Sequence, residues 1–231
     1  MGVRKPLVIA HRGASGSEFE NSLAAFRAAA ARGADAVELD VHTTADDAFV
    51  VQHGDRVAGH LIAQSSLKDV RAHPLPNGET IPTLQEALGT IVPGMIAFVE
   101  VKTLRPPLDE KFFEVIERSG APDRVALHAF DHRVIHRLGE RRPHIRRGVL
   151  MASYPVDPLR CLQDADATIL WQHRGYVDEA LVAAVHGAGF AVHVWTVNEP
   201  DEMRHLAAIG VDGICTDYPD VARTAIASLP A

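Results

Sequence analysis

Two stretches have the composition of buried strands but are interrupted by charged residues. In each of them, a carboxylate residue and a second charged residue stand two positions apart. Glu38 and Asp40 alternate with apolar residues in "AVELDV", so both project to one face of a strand. Glu100 and Lys102 share a face in the same way in "VEVK". Because buried like charges repel one another, three such carboxylates need a cation, and oxygen ligands suit a hard one. We interpret Glu38, Asp40 and Glu100 as ligands of one divalent metal ion, Mg²⁺ or Ca²⁺.

Basic side chains and histidines accompany these acids. The guanidinium of Arg12 and the ammonium of Lys102 suit a phosphate group that also touches the metal. His11 and His53 titrate near neutral pH and are candidates for proton transfer. The alternative is a buried ion network in which Arg12 and Lys102 only neutralise the acids. We favour a reactive site because burying so many charges for structure alone is costly.

Eight short apolar stretches alternate with segments of helical pattern and would position these residues. This alternation predicts a parallel sheet, and eight units in 231 residues predict an α/β protein with a closed (β/α)8 TIM barrel. A doubly wound open sheet is the alternative. In a barrel, the chemistry gathers at the carboxyl ends of the strands. The predicted strands are Leu7–His11, Ala36–Val41, Ile96–Lys102, Val125–Phe130, Arg146–Met151, Ala167–Gln172, Ala191–Val197 and Gly213–Asp217.

The domain organisation follows from the lack of any break in composition. No Pro/Ser-rich linker or low-complexity tract divides the sequence, which predicts a single domain over residues 1–231. One irregular segment, residues 54–82, contains "HPLPNGETIPT" and follows the second predicted strand. We expect this segment to form a short insertion, a small cap beside the barrel mouth.

Charge and hydropathy argue against several classes of protein. A formal net charge of -7 without any Lys/Arg run argues against nucleic-acid binding. The apolar runs are far shorter than a membrane span, so we expect no stable membrane insertion. The first apolar run is too short for a signal peptide, and Cys161 and Cys215 have the surroundings of reduced core residues. We therefore expect a cytoplasmic protein, and the sequence leaves its oligomeric state open.

Several of these residues occur within an ordered set of motifs that resembles one enzyme family. The set comprises "HRG" at residues 11–13, "EN" at 20–21, "ELDV" at 38–41, Thr44, Asp46 and His53, followed by "GETIPTLQEAL", "VEVK", "VWTVN" and "TDYP". In order and spacing, it is similar to the glycerophosphodiester phosphodiesterase family over nearly the whole chain. The resemblance implies a TIM barrel, a divalent metal, and hydrolysis of small-molecule glycerophosphodiesters to glycerol 3-phosphate and an alcohol.

Carried over position by position, the resemblance implies a role for each candidate residue. It also implies that a glycerol hydroxyl attacks phosphorus first and that water then opens a cyclic phosphate. Neither the sequence nor the resemblance shows which histidine is the acid in each step. The implied roles are acid/base catalysis for His11 and His53, phosphate binding for Arg12 and Lys102, and metal binding for Glu38, Asp40 and Glu100.

The sequence departs from the family pattern near the substrate contacts. The family usually has Asp directly after the second histidine, whereas Gly54 separates His53 from Asp55 here. Phe19 stands where the family usually has Pro, and the usual "RTT…G" stretch is not recognisable in the shorter insertion. These departures affect the substrate contacts, while the metal ligands and the histidine pair match the pattern.

Some polar and aromatic residues have more than one interpretation. Trp195 either covers the alcohol part of the substrate, as an aromatic side chain can, or fills the barrel. Asn21 is either a helix N-cap or a ligand contact, and we interpret Asp217, before Tyr218-Pro219, as a helix cap. Three further histidines at predicted strand ends are candidates for lining the site, namely His128, His173 and His193.

Three other functions are alternatives to the activity that the family resemblance implies. A metal-dependent aldolase or sugar-phosphate isomerase on a barrel would use acids and a lysine but does not predict the pair His11 and His53. Another metal-dependent phosphodiesterase or a lysophospholipase D on the same barrel would share the whole set. A catalytically inactive barrel that binds phosphorylated ligands is the third, and the intact set of seven residues argues against it.

Overall fold

The computed structural model describes residues 5–91 and 93–228, which form eleven strands and nine α-helices. The strands are β1 (Leu7–His11), β2 (Ala36–Thr43), β3 (Phe49–Val51), β4 (Arg56–Val57), β5 (His60–Leu61), β6 (Ile96–Val101), β7 (Val125–Ala129), β8 (Arg146–Met151), β9 (Ile169–His173), β10 (Ala191–Trp195) and β11 (Gly213–Thr216). The helices are α1 (Leu23–Ala31), α2 (Leu67–Arg71), α3 (Leu84–Ile91), α4 (Asp109–Glu117), α5 (His132–Arg141), α6 (Arg160–Asp164), α7 (Glu179–Gly187), α8 (Pro200–Ala208) and α9 (Pro219–Ala227).

Eight of the strands pair in parallel and close into a barrel. Their order is β1-β11-β10-β9-β8-β7-β6-β2, and a further pairing of β1 with β2 joins the two ends. The predicted (β/α)8 TIM barrel is therefore confirmed, and the open-sheet alternative is wrong. The predicted strands Leu7–His11 and Arg146–Met151 match the structure at both ends, and the other six differ by one or two residues.

Alternation along each strand divides the side chains between two apolar layers. Val37 and Leu39 of β2 point outward into the main core, which includes Phe26 of α1. Side chains of the opposite parity fill the barrel interior, where Ile9, Phe98, Leu150, Trp171 and Cys215 pack together. Glu38 and Asp40 share this inner face, as the two-residue period predicts.

The predicted insertion follows the second strand of the barrel. β3 pairs antiparallel with the end of β2, and the hairpin β4–β5 and the short helix α2 come next. The segment has its own small core, in which Ile62, Val70, Leu75 and Ile81 pack against Val50. Residues 54–82 are therefore a folded insertion beside the barrel. That the whole chain is one domain stays a prediction, and residues 1–4 and 229–231 lie outside the described residues.

Two further expectations concern the membrane and the thiols. Within the described ranges, no helix combines the length and the apolar character that crossing a bilayer requires. Both cysteines are free thiols. Cys215 is fully buried inside the barrel, whereas Cys161 is half-buried in α6, so the interpretation as core residues fits Cys215 better.

Candidate active site

A cavity of about 140 Å³ opens at the carboxyl ends of the barrel strands. Its walls come from the strand ends and the residues just beyond them, and none of its lining residues lies within 54–82. Asp40 is the predicted site residue that lies behind this lining. The predicted residues that line the cavity are His11, Arg12, Glu38, His53, Glu100, Lys102 and Trp195.

The loop after β1 brings Arg12 against the acids. Arg12 has a φ of 56°, and Gly13 follows with a φ of 86°. A Cβ atom on Gly13 would come within 2.6 Å of the backbone of Ala25, so this close turn requires glycine. The Arg12 backbone N–H then donates to Oε2 of Glu38 at 3.2 Å, and its side chain donates to Oε2 of Glu20 at 2.6 Å.

Asp40 contacts both cationic side chains of the site, Arg12 and Lys102. Its side chain is 1% exposed, and its oxygens lie 3.2 Å from Nε of Arg12 and 3.1 Å from Nζ of Lys102. Nδ2 of Asn21 donates to the same carboxylate at 2.8 Å. Burial opposes ionisation of Asp40, but Lys102, Arg12 and the Asn21 hydrogen bond outweigh it and lower its pKa. Asp40 is therefore an ionised group that positions two cations at the cavity.

Asn21 reaches Asp40 because it stands just before helix α1. The N-cap of α1 is Ser22, whose Oγ accepts the N–H of Ala25. The N-cap interpretation of Asn21 is therefore wrong by one residue. Its side chain is buried, and its φ of 56° places the amide towards the barrel. Asn21 therefore contacts an acid of the candidate site. From the sequence, it was either a helix N-cap or a ligand contact.

Glu38 and Glu100 are the acids with the weakest charge compensation. Burial raises the pKa of Glu38 well above its ordinary value, and the charges of Asp40 and Glu100 add to this. Burial also raises the pKa of Glu100 to about 7, although Nζ of Lys102 lies 2.6 Å from its Oε1. A bound cation would relieve both carboxylates. The donor set therefore fits a divalent metal ion.

His11 has a carboxylate partner. Its Nδ1 donates to Oδ1 of Asp217 at 2.7 Å, which leaves Nε2 as the ring nitrogen free for proton transfer. Asp217 also accepts hydrogen bonds from Ser15 Oγ at 2.8 Å and from Asn198 Nδ2 at 2.7 Å. Burial works against ionisation, but the bonds from His11, Asn198 and Ser15 lower the pKa of Asp217 to about 2.

The interpretation of Asp217 as a helix cap is therefore wrong. Helix α9 begins at Pro219 and takes its N-cap from Tyr218, without a capping bond from that side chain. The sequence carried one usable signal for the contact with His11. In the closed barrel, β11 pairs with β1 so that Thr216 stands opposite Ala10, and the residues that follow, Asp217 and His11, lie within hydrogen-bond distance.

His53 lines the same cavity and lies two residues after the end of β3. Burial lowers the pKa of His53, and the positive charge of Arg12 lowers it further. The ring is therefore neutral at physiological pH and able to accept a proton. Nε2 of the buried His42 lies 3.3 Å from the backbone oxygen of His53, which holds this segment against β2.

Aromatic side chains form one edge of the cavity, which we call the aromatic rim. Trp195 is its centre and donates from Nε1 to the backbone oxygen of Trp171 at 3.1 Å. The ring of Phe130 meets Trp195 edge-on at 5.7 Å, and that of His173 does so at 5.2 Å. Phe130 also lines the cavity and is 50% exposed. The rim comprises Phe130, His173, Tyr176 and Trp195.

The three strand-end histidines have different locations. His128 lines the cavity beside the acids. His173 lies behind Trp195 in the aromatic rim. The expectation that His193 lines the same site is wrong, because it lines a separate cavity of about 390 Å³ with Leu7 and other residues that begin the strands. His193 shares a face with Trp195 but is two residues deeper in β10, and burial lowers its pKa to about 4.

Known proteins resemble this chain over almost its full length. A glycerophosphodiester phosphodiesterase of Caldanaerobacter subterraneus is 31% identical over 94% of this chain and 96% of its own length. A probable glycerophosphodiester phosphodiesterase 2 of Mycobacterium tuberculosis is 33% identical over 94% of this chain and 89% of its own.

A solved structure shows the same fold. It is a phosphodiesterase of Oleispira antarctica in complex with the product sn-glycerol-3-phosphate. Its TM-score to this chain is 0.87 at 28% identity, covering 97% of this chain and 98% of that one. The sequence profile of the glycerophosphoryl diester phosphodiesterase family matches residues 11–221. This chain therefore belongs to the glycerophosphoryl diester phosphodiesterase family.

Proposed function

We propose that this protein hydrolyses glycerophosphodiesters to glycerol 3-phosphate and an alcohol, using a divalent metal ion and a pair of histidines. The observation that carries the proposal is the composition of the cavity. Three imidazoles, two cations and two carboxylates with raised pKa values line a space of about 140 Å³. The product complex of the Oleispira antarctica relative supports the same substrate class.

Glu38, Asp40 and Glu100 are the proposed metal ligands. All three lie on the inner faces of the neighbouring strands β2 and β6, where Asp40 pairs in register with Glu100. A bound Mg²⁺ or Ca²⁺ would supply Lewis-acid stabilisation of the phosphoryl oxygens. The raised pKa values of Glu38 and Glu100 support a cation there, because ionising both acids without one is unfavourable.

Arg12 and Lys102 are the proposed phosphate ligands. Asp40 holds both cations at the cavity wall, with each pair separated by little more than 3 Å. A phosphodiester is an anion, and its transition state concentrates charge on the phosphoryl oxygens. Two fixed cations stabilise that charge without having to reorganise. In this proposal, Asp40 preorganises the phosphate site in addition to any contact with the metal.

His11 and His53 are the proposed acid/base pair. The attacking hydroxyl must lose a proton and the leaving alcohol must gain one, so two imidazoles at different sides of the phosphorus suit the reaction. The two rings have different surroundings. Asp217 accepts a hydrogen bond from Nδ1 of His11 and fixes the orientation of its ring, whereas burial and Arg12 favour neutral His53. We propose that His53 is the initial base and His11 the initial acid.

The rival functions differ in what they require of the cavity. A lysophospholipase D activity is a second candidate, because the half-exposed Phe130 in the aromatic rim offers an apolar surface to a substrate with an acyl chain. An inactive phospho-ligand barrel has no need of the hydrogen-bonded pair His11 and Asp217. A cytoplasmic location stays a prediction.

Phosphorus NMR of the reaction mixture tests the proposed function. Glycerophosphocholine, glycerophosphoethanolamine, glycerophosphoglycerol and lysophosphatidylcholine are incubated separately with the protein in the presence of Mg²⁺ or Ca²⁺. We expect glycerol 3-phosphate from the first three. Turnover of lysophosphatidylcholine alone would select the second candidate, and no turnover of any diester would contradict both.

A further inference from the structure

His128 lies among the proposed metal ligands although neither the sequence motifs nor the family resemblance marks it. It is on β7, directly beside β6, where it pairs in register with Glu100. Its side chain is 1% exposed, and its Nε2 lies 3.8 Å from Oε1 of Glu38. One donor atom from each of Glu38, Glu100 and His128 fits within 4.8 Å of the other two.

The ring of His128 is fixed in place without being hydrogen-bonded. It stacks on the indole of Trp171, with a centroid separation of 4.3 Å and an angle of 8° between the planes. Its Nδ1 is buried and has no hydrogen-bond partner among the described residues. The 3.8 Å separation between Nε2 and Glu38 is too long for a hydrogen bond. Because a buried polar ring rarely lacks every partner, a ligand bound at Nε2 would supply the partner that this ring lacks on its cavity side.

Asp40 differs from the other two acids because its carboxylate already has charged and hydrogen-bonding partners. Its two oxygens face Arg12, Lys102 and Asn21 at about 3 Å, and it lies behind the cavity lining. Glu38, Glu100 and His128 line the cavity itself. The donor atoms that converge on open space are therefore two carboxylates and one imidazole.

We propose that Nε2 of His128 is a nitrogen ligand of the divalent metal, in addition to the carboxylates of Glu38, Asp40 and Glu100. The inference rests on the metal-dependent part of the proposed function. A cation between these groups would satisfy the imidazole lone pair and relieve the repulsion between the carboxylates in one contact. A mixed nitrogen and oxygen set also favours Mn²⁺, Co²⁺ or Zn²⁺ over Ca²⁺ more strongly than an all-carboxylate set does.

Pulsed electron paramagnetic resonance of bound Mn²⁺ tests this ligand directly. The chelator-treated full-length protein is loaded with substoichiometric Mn²⁺, and the spectrum is searched for coupling to a directly bound ¹⁴N nucleus. We expect the coupling in the wild type and its loss in His128→Gln. Titration of the same proteins should give a Kd for Co²⁺ that rises by about tenfold or more in His128→Gln.

His193→Gln is the matched control. His193 is also a buried imidazole packed against Trp171, at a centroid distance of 4.8 Å, but it lines the other cavity. This variant should keep the ¹⁴N coupling, and circular dichroism of both variants checks that the barrel is intact. Coupling that persists unchanged in a folded His128→Gln protein would overturn the inference.

The failure of this inference is distinguishable from failure of the proposed function. Wild-type protein that binds Mn²⁺ in a Glu38-dependent way without ¹⁴N coupling would overturn the role of His128 and leave the carboxylate site intact. Wild-type protein that binds no Mn²⁺ at all would overturn both the ligand and the metal requirement.

Discussion

Nδ1 of His11 lies 2.7 Å from Oδ1 of Asp217, and this hydrogen bond joins the first strand of the barrel to the residue after the last one. The carboxylate fixes the ring orientation and keeps the proton on Nδ1. Oγ of Ser15 and Nδ2 of Asn198 also donate to the Asp217 carboxylate, and the Asp217 backbone N–H donates to Oδ1 of Asn198. Asp217 is thus a positioning residue for His11.

Replacing Asp217 should damage turnover more than binding. We expect Asp217→Asn to lower kcat by about tenfold to a hundredfold, a part of what a whole acid/base group contributes, with little change in KM. Steady-state kinetics with glycerophosphocholine measure both parameters. Asp220→Asn is the control, because Asp220 is half-exposed and, within the described part of the chain, its carboxylate pairs with Arg32 on the surface. Equal losses in the two variants would refute the positioning role.

The pH dependence should reflect the neutral state of His53. Burial and Arg12 lower its pKa from the ordinary 6.5, so the neutral base persists as the pH falls to 6.5 and is lost only below that value. We expect kcat/KM to fall on the acid side below pH 6.5. His53→Ala should lose about a hundredfold in rate or more and should lack this acid limb. An unchanged limb in the variant would assign it to another group.

Metal affinity should rise with pH through neutrality. Burial raises the pKa of Glu100 to about 7, so protonation of this ligand competes with metal binding near neutral pH. Affinity should therefore weaken as the pH falls from 8 to 6. Calorimetric titration with Mg²⁺ in two buffers of different ionisation enthalpy measures the released proton. An affinity independent of pH over this range would contradict the assignment of Glu100.

The alcohol part of the substrate should be weakly specified. No residue of 54–82 lines the cavity, so the aromatic rim is the surface available to the alcohol. We expect kcat/KM for glycerophosphocholine, glycerophosphoethanolamine and glycerophosphoglycerol to agree within about tenfold, or about 1.4 kcal/mol. Phe130→Ala should change these values by less than about tenfold. A thousandfold preference for one head group would show a selective pocket instead.

The sequence predicted the barrel and most of the site because both depend on local periodicity. The two-residue period of a strand is enough to put Glu38 and Asp40 on one face, and the strand ends gather at one edge of the barrel. The family motifs added His53, which follows the short strand β3 and not a strand of the barrel.

Local periodicity does not predict how deep a side chain lies in the barrel or which residues far apart in the sequence contact each other. The strand period gives the face of His193 but not its depth, so the sequence makes it a candidate for the site although it lines a cavity at the other end of the barrel. The contact of His11 with Asp217 spans 206 residues and depends on closure of the barrel through β1 and β11. Asp217 was therefore interpreted from its local setting before Pro219, where a helix cap is common.

The central claim is that the carboxylates hold a metal that the two histidines need for phosphodiester cleavage. The most direct measurement is the release of glycerol 3-phosphate from glycerophosphocholine by chelator-treated protein before and after adding Mg²⁺ or Ca²⁺. We predict no release before addition and recovery after it in the wild type, with no recovery in Glu38→Gln. Full activity of the wild type in excess chelator, or recovery in a folded Glu38→Gln protein equal to that of the wild type, would contradict the account.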